Sequence, residues 1–457
     1  MIGILLAFAL IQPPAANGWA FDELIHTNGS NFKGLLLDEN AEGVRFQVVT
    51  RKPGRPTVTL TTVFTKSEIA KLNRLSDGER TALKAKLIEL DPTGKGERER
   101  MGSLPLTPTE WLGRAEAAKR YESDHFILVS NASEEITRRA AVRLEQLFAA
   151  FRRYVPPRNP NGRPTTIFLS QTPEEYRALL GPDAPKLLNP AIFDPIGNRI
   201  VCGSDLRRLG EQLTGTRIHH ERQRLAIEQY EDDVRKLYKD QKSDLDRFLA
   251  TANVQRQRIA IAESANERAF DTVTQQLFAV LYHEAFHAYA ATFVYPPLST
   301  EQVKAGLGTG ELPRWLNEGL AQLFETAVVE AGELRADYAD PVRLAKVKDA
   351  IRGKNDLRVV PLSDLLTAGK ESFLSKHADQ TAAANRAYLT CWAAAYYLTF
   401  DRRLLGTAKF RTYLVAINSG GDSRTAFETL VGQPLAVFER DWHAYLLKLK
   451  PDGTLAK

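Results

Sequence analysis

The chain contains 457 residues, of which 43% are hydrophobic and 26% are charged, as is ordinary for a folded protein with more than one structural unit. Its 61 basic and 56 acidic residues leave a formal net charge of +5. Because both signs of charge are spread along the same segments, the sequence has no basic stripe of the kind that binds nucleic acid. We therefore expect no nucleic-acid partner.

The N-terminus has the pattern of an export signal. Residues 2–11 form an uninterrupted apolar run, and Gly18-Trp19-Ala20 is a small-x-small site suited to cleavage after Ala20. Residues 1–20 are thus interpreted as a signal peptide, although no Lys or Arg precedes the apolar run. We expect a periplasmic, extracellular or cell-envelope protein. No later stretch has the roughly 20 apolar residues that a membrane helix requires, so we expect no integral span in the mature chain.

The segment after the signal predicts a small antiparallel β module at residues 21–65, because short alternating runs are separated by Gly-containing turns. The module contains no constellation of catalytic residues, which favours a structural role or a partner in the cell envelope. Residues 66–120 are predicted as a helical segment, 66–90, followed by a linker rich in Gly and charge, 93–102.

The remainder, residues 121–457, is predicted to form one large unit. Its first part has the order strand, helix, strand, helix, strand, which predicts a mixed sheet with helices against it. Residues 205–268 are charged and contain no proline, which predicts an inserted hairpin of long helices. The C-terminal half is predicted to be helical, with breaks near 306–310, 353–355 and 420–421. The predicted fold class is α+β.

The two cysteines, Cys202 and Cys391, permit at most one disulfide, and neither lies in a CxxC pattern. Unlinked cysteines are usually small core residues. We therefore favour two buried thiols, with a single disulfide as the alternative.

The most informative motif is His283-Glu284-Ala285-Phe286-His287, within a predicted helix at 270–293. Residues four apart on a helix share a face, so the two histidines can bind one metal ion with Glu284 beside them as general base. Glu318 lies on the next amphipathic helix and can supply a third ligand. Two imidazoles and one carboxylate leave the fourth position of a zinc ion open, as a catalytic site requires. Glu325, two turns beyond Glu318, is a candidate to orient a liganding histidine.

These segments carry a family resemblance. HEAFHAY (283–289) and WLNEGLAQLFE (315–325) resemble the gluzincin metallopeptidases, the clan that contains thermolysin and aminopeptidase N. More narrowly, they resemble the exported bacterial peptidase-MA-like proteins. The resemblance covers about residues 120–447 and implies a zinc-dependent hydrolase acting on a peptide or protein.

The resemblance also implies further roles. The helix that bears Tyr388 would pack beside the metal, and its phenol would donate to the developing oxyanion, although Tyr396 and Tyr397 lie close by. An edge strand before the metal helix would hold the substrate backbone, and Arg199–Gly203 is the candidate. No segment resembling Gly-Ala-Met-Glu-Asn, which grips a free amino terminus in aminopeptidases, is present.

Two alternatives to a peptidase stay open at this point. One is a non-catalytic binding or scaffold protein of the cell envelope, in which a metal only stabilises the fold. The other is a metal-dependent hydrolase that acts on another carbonyl substrate, since the same water chemistry serves both.

Overall fold

A computed structural model describes residues 19–51, 57–90, 95–181, 190–295, 301, 311–326, 329–330, 333–334, 340–354, 358–369, 373, 378–451 and 453–456. Most of the predicted signal peptide, residues 1–18, lies outside them. The fold is α+β, as predicted. The chain divides into two compact units: residues 103–142 with 164–288 form one, and the other contains residues 1–102, 143–163 and 289–457.

The N-terminal sheet has five antiparallel strands in the order β4-β3-β2-β1-β5. The strands are β1 (Asp22–His26), β2 (Asn31–Glu39), β3 (Gly43–Thr50), β4 (Val58–Thr65) and β5 (Ile69–Asn73). The predicted β module is confirmed, but the helix predicted from residue 66 is wrong over β5. Ile69 and Leu72 are spaced like one face of a helix, yet both pack on the aromatic cluster of the sheet while β5 pairs with β1.

Two helices follow this sheet, α1 (Asp77–Leu90) and α2 (Lys95–Ser103). The predicted linker is therefore helical over α2, since Lys, Glu and Arg are good helix formers. Asp22 joins α1 to the sheet: its buried carboxylate accepts hydrogen bonds from the backbone N–H groups of Leu36 and Leu75, both at 2.7 Å.

The second sheet is mixed, as predicted, with the strand order β10-β11-β9-β8-β7-β6. Its strands are β6 (Thr107–Trp111), β7 (Arg114–Glu122), β8 (Phe126–Ser130), β9 (Thr165–Ser170), β10 (Ala191–Asp194) and β11 (Arg199–Gly203). β9 runs parallel to both of its neighbours, β8 and β11.

Sequence reasoning missed the hairpin β6-β7 and the short strand β10. The residues of β7 are mostly helix formers, but strand pairing overrides that local preference. Leu112 and Gly113, with φ of 48° and 78°, form a two-residue turn with both central residues in the left-handed region, which matches the twist of a hairpin.

Four helices belong to this part of the chain: α3 (Glu134–Tyr154), α4 (Pro173–Leu180), α5 (Leu206–Leu237) and α6 (Lys242–Tyr289). The predicted long helical hairpin is confirmed, and it consists of α5 and α6. Arg224 bonds both carboxylate oxygens of Glu263 at 2.6 Å, and Arg256 pairs with the buried Glu231, so charged pairs hold α5 against α6. α6 has 48 residues and is therefore about 72 Å long.

The C-terminal part is mostly helical, as predicted. It contains α7 (Arg314–Glu325), the strands β12 (Val329–Glu330) and β13 (Glu333–Leu334), α8 (Pro341–Ile351), α9 (Leu362–Thr367), α10 (Ala378–Tyr396), α11 (Ala408–Asn418), α12 (Ser423–Val431) and α13 (Leu435–Lys448). The predicted breaks at 353–355 and 420–421 follow the ends of α8 and α11. The break at 306–310 lies outside the described residues.

Cys202 and Cys391 are both free and buried, which confirms the favoured interpretation. Across the described parts of the chain, none of the helices combines the length and apolar character that crossing a bilayer demands.

Trp19 belongs to the folded N-terminal unit. Its ring stacks on Phe21 at 6.0 Å between centroids, and the guanidinium of Arg51 lies 3.8 Å from the ring centre. It also packs against the cluster that contains Leu35 and Leu83. Cleavage after Ala20 would remove this packing from the mature protein.

If the chain is exported, we therefore predict that the mature protein begins at Trp19. Ala16-Asn17-Gly18 is also a small-x-small site, and cleavage after Gly18 keeps the contacts of Trp19. N-terminal sequencing or intact mass of the protein recovered from outside the cytoplasm measures this directly. A mature chain that begins at Phe21 would contradict the prediction.

Candidate metal centre

The ligand atoms of His283, His287 and Glu318 all lie within 4.8 Å of one another. The three residues that the sequence singled out as metal ligands are thus brought together. This is the one cluster of three or more potential ligand residues found in the described part of the chain.

The two histidines lie on the less buried face of the last turns of α6. Ala285, Phe286 and Tyr289 are fully buried on the opposite face, whereas His283 and His287 are half-buried. Tyr289 fixes this end of the helix, because its hydroxyl donates to the carbonyl of Val155 at 2.6 Å. The helical spacing places the imidazole rings 4.8 Å apart between centroids, as the i, i+4 pattern requires.

Glu284 is held by the edge of the mixed sheet. Its Oε2 accepts a hydrogen bond from the backbone N–H of Phe193 at 2.9 Å. Phe193 belongs to β10, the last strand in the order of that sheet. Because this N–H points away from β11, strand alternation directs the N–H and C=O of Ala191 outward as well.

The expected edge strand, Arg199–Gly203, is not at the edge. This segment is β11, which pairs with β10 on one side and with β9 on the other. The prediction is wrong because β10, four residues long, was too short to be recognised in the sequence. The backbone edge beside Glu284 therefore belongs to Ala191–Asp194.

Tyr176 also lies near Glu284 and was not identified from the sequence. Burial, and then the neighbouring Cys202 and Glu284, raise the pKa of Tyr176 to about 12. The phenol therefore keeps its proton at neutral pH and can act as a hydrogen-bond donor.

Glu318 is almost completely buried in α7, with 1% of its surface exposed. Its Oε1 lies 2.7 Å from Nη2 of Arg314, one turn earlier on the same helix. A buried carboxylate requires such compensation because the loss of hydration is costly. The sequence analysis did not identify Arg314 as a site residue. Its spacing of four residues from Glu318 was the signal that could have identified it.

The position of Glu318 depends on close packing between α7 and α10. A Cβ atom on Gly319 would lie 2.5 Å from the carbonyl oxygen of Cys391 and 2.8 Å from Cβ of Ala395. Gln322 bridges the same helices, because its Nε2 donates to the carbonyls of Glu318 at 3.1 Å and Tyr388 at 3.0 Å.

Tyr388 lies on the side of α10 that carries these contacts. Burial, and then the negative charge of Glu318, raise the pKa of Tyr388, while a hydrogen bond from Arg314 opposes that shift. The nearby Tyr396 packs on Trp392 and Phe400 instead. The electrostatic surroundings of Tyr388 therefore include Glu318.

Glu325 forms an ion pair with Arg343, whose Nη2 lies 2.9 Å from Oε1. Arg343 also donates to the carbonyl of Gln322 at 3.2 Å. These contacts fix the C-terminal turn of α7. The role of Glu325 in orienting a liganding histidine stays a prediction.

Comparison with family models, with curated proteins and with solved structures finds no match.

The ligand set fits zinc in chemistry and in approximate spacing. Ligand atoms about 2.0–2.2 Å from a tetrahedral zinc ion are roughly 3.4 Å from one another. The observed upper limit of 4.8 Å therefore requires inward movement of at most about 1.4 Å, which side-chain rotation can supply. Cys391 is not part of this cluster, and burial raises the pKa of its thiol well above the usual value.

We predict that Gly319→Ala destabilises the protein by about 1–3 kcal/mol, because the new methyl group forces α7 and α10 apart. Denaturant unfolding monitored by fluorescence measures the loss. Gly215→Ala is the matched control: Gly215 also lies in a helix, α5, but a Cβ there meets nothing within 4 Å. The control is expected to be neutral or slightly stabilising. Equal stability of the two variants would contradict the close approach of α7 and α10.

Proposed function

We propose that the chain is a zinc-dependent hydrolase that cleaves peptide bonds, with His283, His287 and Glu318 as metal ligands and Glu284 as general base. The observation that carries the proposal is the convergence of the three ligand side chains within 4.8 Å. Glu284 is the residue directly after the first ligand on α6, which is the arrangement in which a carboxylate lies beside a metal without binding it.

The proposed chemistry divides between the metal and the protein. His283, His287 and Glu318 would hold the zinc ion, which would supply Lewis acidity for activating water and polarising a carbonyl group. Glu284 accepts a proton from the attacking water and then delivers it to the leaving amine. Its hydrogen bond to the Phe193 N–H orients the carboxylate for this transfer.

The edge of β10 is the proposed binding surface for the substrate backbone. Ala191 and Phe193 direct backbone groups away from β11, and Phe193 contacts Glu284. An extended peptide that adds to this edge gains main-chain hydrogen bonds whatever its sequence. Its scissile bond would thereby be placed close to the general base.

Tyr388 is the proposed donor to the developing oxyanion. A tyrosine phenol is protonated at neutral pH and can donate a hydrogen bond. A donor placed where negative charge develops stabilises the transition state more than the ground state.

The alternative is a cell-envelope scaffold protein in which the metal only stabilises the fold and the N-terminal β sheet binds a partner. Both proposals place the protein outside the cytoplasm, on the strength of the apolar run at residues 2–11 and the small-x-small sites after it. They differ in the role of Glu284, since a structural metal site has no use for a general base.

We predict that the purified wild-type protein contains close to one zinc ion per chain, and that His283→Ala and Glu318→Ala lose it. Glu284→Gln is expected to keep the metal but to lower turnover of quenched fluorescent peptides at least about 100-fold, because it removes proton transfer. Elemental analysis and peptide cleavage measure the two effects separately.

Each outcome of this experiment has a distinct meaning. If wild-type protein contains no zinc and does not take it up, the hydrolase proposal fails. If it contains zinc but neither wild type nor Glu284→Gln cleaves peptides, while both ligand variants unfold at lower denaturant concentration, the scaffold alternative is favoured.

We predict that Tyr388→Phe lowers kcat by about 100-fold with little change in KM, because only the transition state loses a hydrogen bond. Zinc content is expected to stay unchanged. Tyr396→Phe is the control, since Tyr396 lies on the same helix but packs on Trp392 and Phe400. Equal kcat values for the two variants would assign Tyr388 to packing alone.

A further inference from the structure

Arg314 occupies an unusual position for a helix-stabilising residue. It is the first residue of α7, where the positive end of the helix dipole disfavours a cation. It also precedes its partner Glu318 by four residues, whereas the reverse order, acid before base, is the more favourable one in a helix. The ion pair is therefore poorly explained by stabilisation of α7 alone.

The guanidinium is fixed by several neighbours. Nη2 lies 2.7 Å from Oε1 of Glu318, and Arg314 is near enough to Tyr388 for its positive charge to lower the pKa of that phenol. The ring of Phe373 lies 5.8 Å from the guanidinium carbon, within the range of a cation–π contact. Arg314 keeps 34% of its side chain exposed, whereas Glu318 keeps 2%. The arginine thus reaches inward from the protein surface to a carboxylate that water does not reach.

We propose that Arg314 is a positioning residue for the carboxylate ligand: its charge, 2.7 Å from Oε1 of Glu318, holds one carboxylate oxygen and leaves the other for the metal. This inference rests on the proposed zinc site. The extended guanidinium lies beside both Glu318 and the ring of Phe373, so the position of its charge is defined in a way that the compact ammonium group of a lysine does not reproduce. Arg314 also balances the charge of the buried carboxylate before a metal ion arrives.

The test measures zinc affinity of the full-length protein by competition with a chromophoric chelator. Arg314→Met, which keeps an apolar stem but removes the charge and the donors, is expected to weaken zinc binding roughly 10–100-fold, the effect usual for residues that orient metal ligands. Arg314→Lys is expected to recover part of the affinity. With cobalt in place of zinc, the visible absorption spectrum of Arg314→Met is expected to change, because coordination by the carboxylate changes.

Arg424→Met is the matched control. Arg424 also lies four residues before its partner, Glu428, at the start of a C-terminal helix, with Nε 3.3 Å from Oε1. Its zinc affinity and cobalt spectrum are expected to equal those of wild type. If Arg314→Met does not fold, as judged by circular dichroism, Arg314→Gln replaces it under the same criteria.

The outcomes separate this inference from the function on which it rests. Zinc binding by wild type, with the same affinity and cobalt spectrum in Arg314→Met, overturns the positioning role and leaves the zinc site intact. Absence of zinc binding in wild type overturns the zinc site and the positioning role together.

Discussion

A carboxylate buried inside a helical core is the constraint on which the candidate site depends. Nine of the residues of α7, among them Glu318, are buried, so the helix cannot turn its acidic group to solvent without exposing apolar side chains. The charge must be balanced in place. Arg314 provides one counter-charge within hydrogen-bonding distance, and a divalent cation on the two imidazoles and the carboxylate would provide the other.

Close packing between α7 and α10 fixes the position of the Glu318 carboxylate. Gly319 lets α10 approach α7 so closely that no side chain fits between them, and Gln322 joins the carbonyls of Glu318 and Tyr388 across the contact. The backbone of α7 is thereby fixed at Glu318 and over the turn that follows it. A ligand on such a helix needs only a side-chain adjustment to bind a metal ion, which limits the entropy lost on binding.

Two glutamates of the site show how environment separates roles. Glu318 is buried and paired with an arginine, whereas Glu284 is half-buried and accepts a hydrogen bond from the backbone of β10. A group that transfers protons must be reached by water and substrate, while a metal ligand benefits from exclusion of water. The same side-chain chemistry therefore suits a ligand in one place and a base in the other.

The sequence was sufficient for the parts of the site that follow from helical periodicity. His283 and His287 share a face because they are four residues apart, and Glu318 falls within a segment whose apolar residues predict a helix. The sequence was insufficient where pairing between distant strands determines the secondary structure. β5 and β7 are composed of residues that also suit a helix, and β10 is too short to show a pattern, so the strand beside Glu284 was assigned to β11 instead of β10.

Arg314 is a single side chain whose role could not be predicted from the sequence. Its spacing to Glu318 is visible in the sequence, but such pairs are common on exposed helices, where they contribute little. Only the burial of Glu318 and the contact with Tyr388 distinguish this pair. Because one guanidinium contacts both the candidate ligand and the candidate oxyanion donor, the positions of these two groups are coupled. A substitution of Arg314 is therefore expected to change the surroundings of both the carboxylate and the phenol.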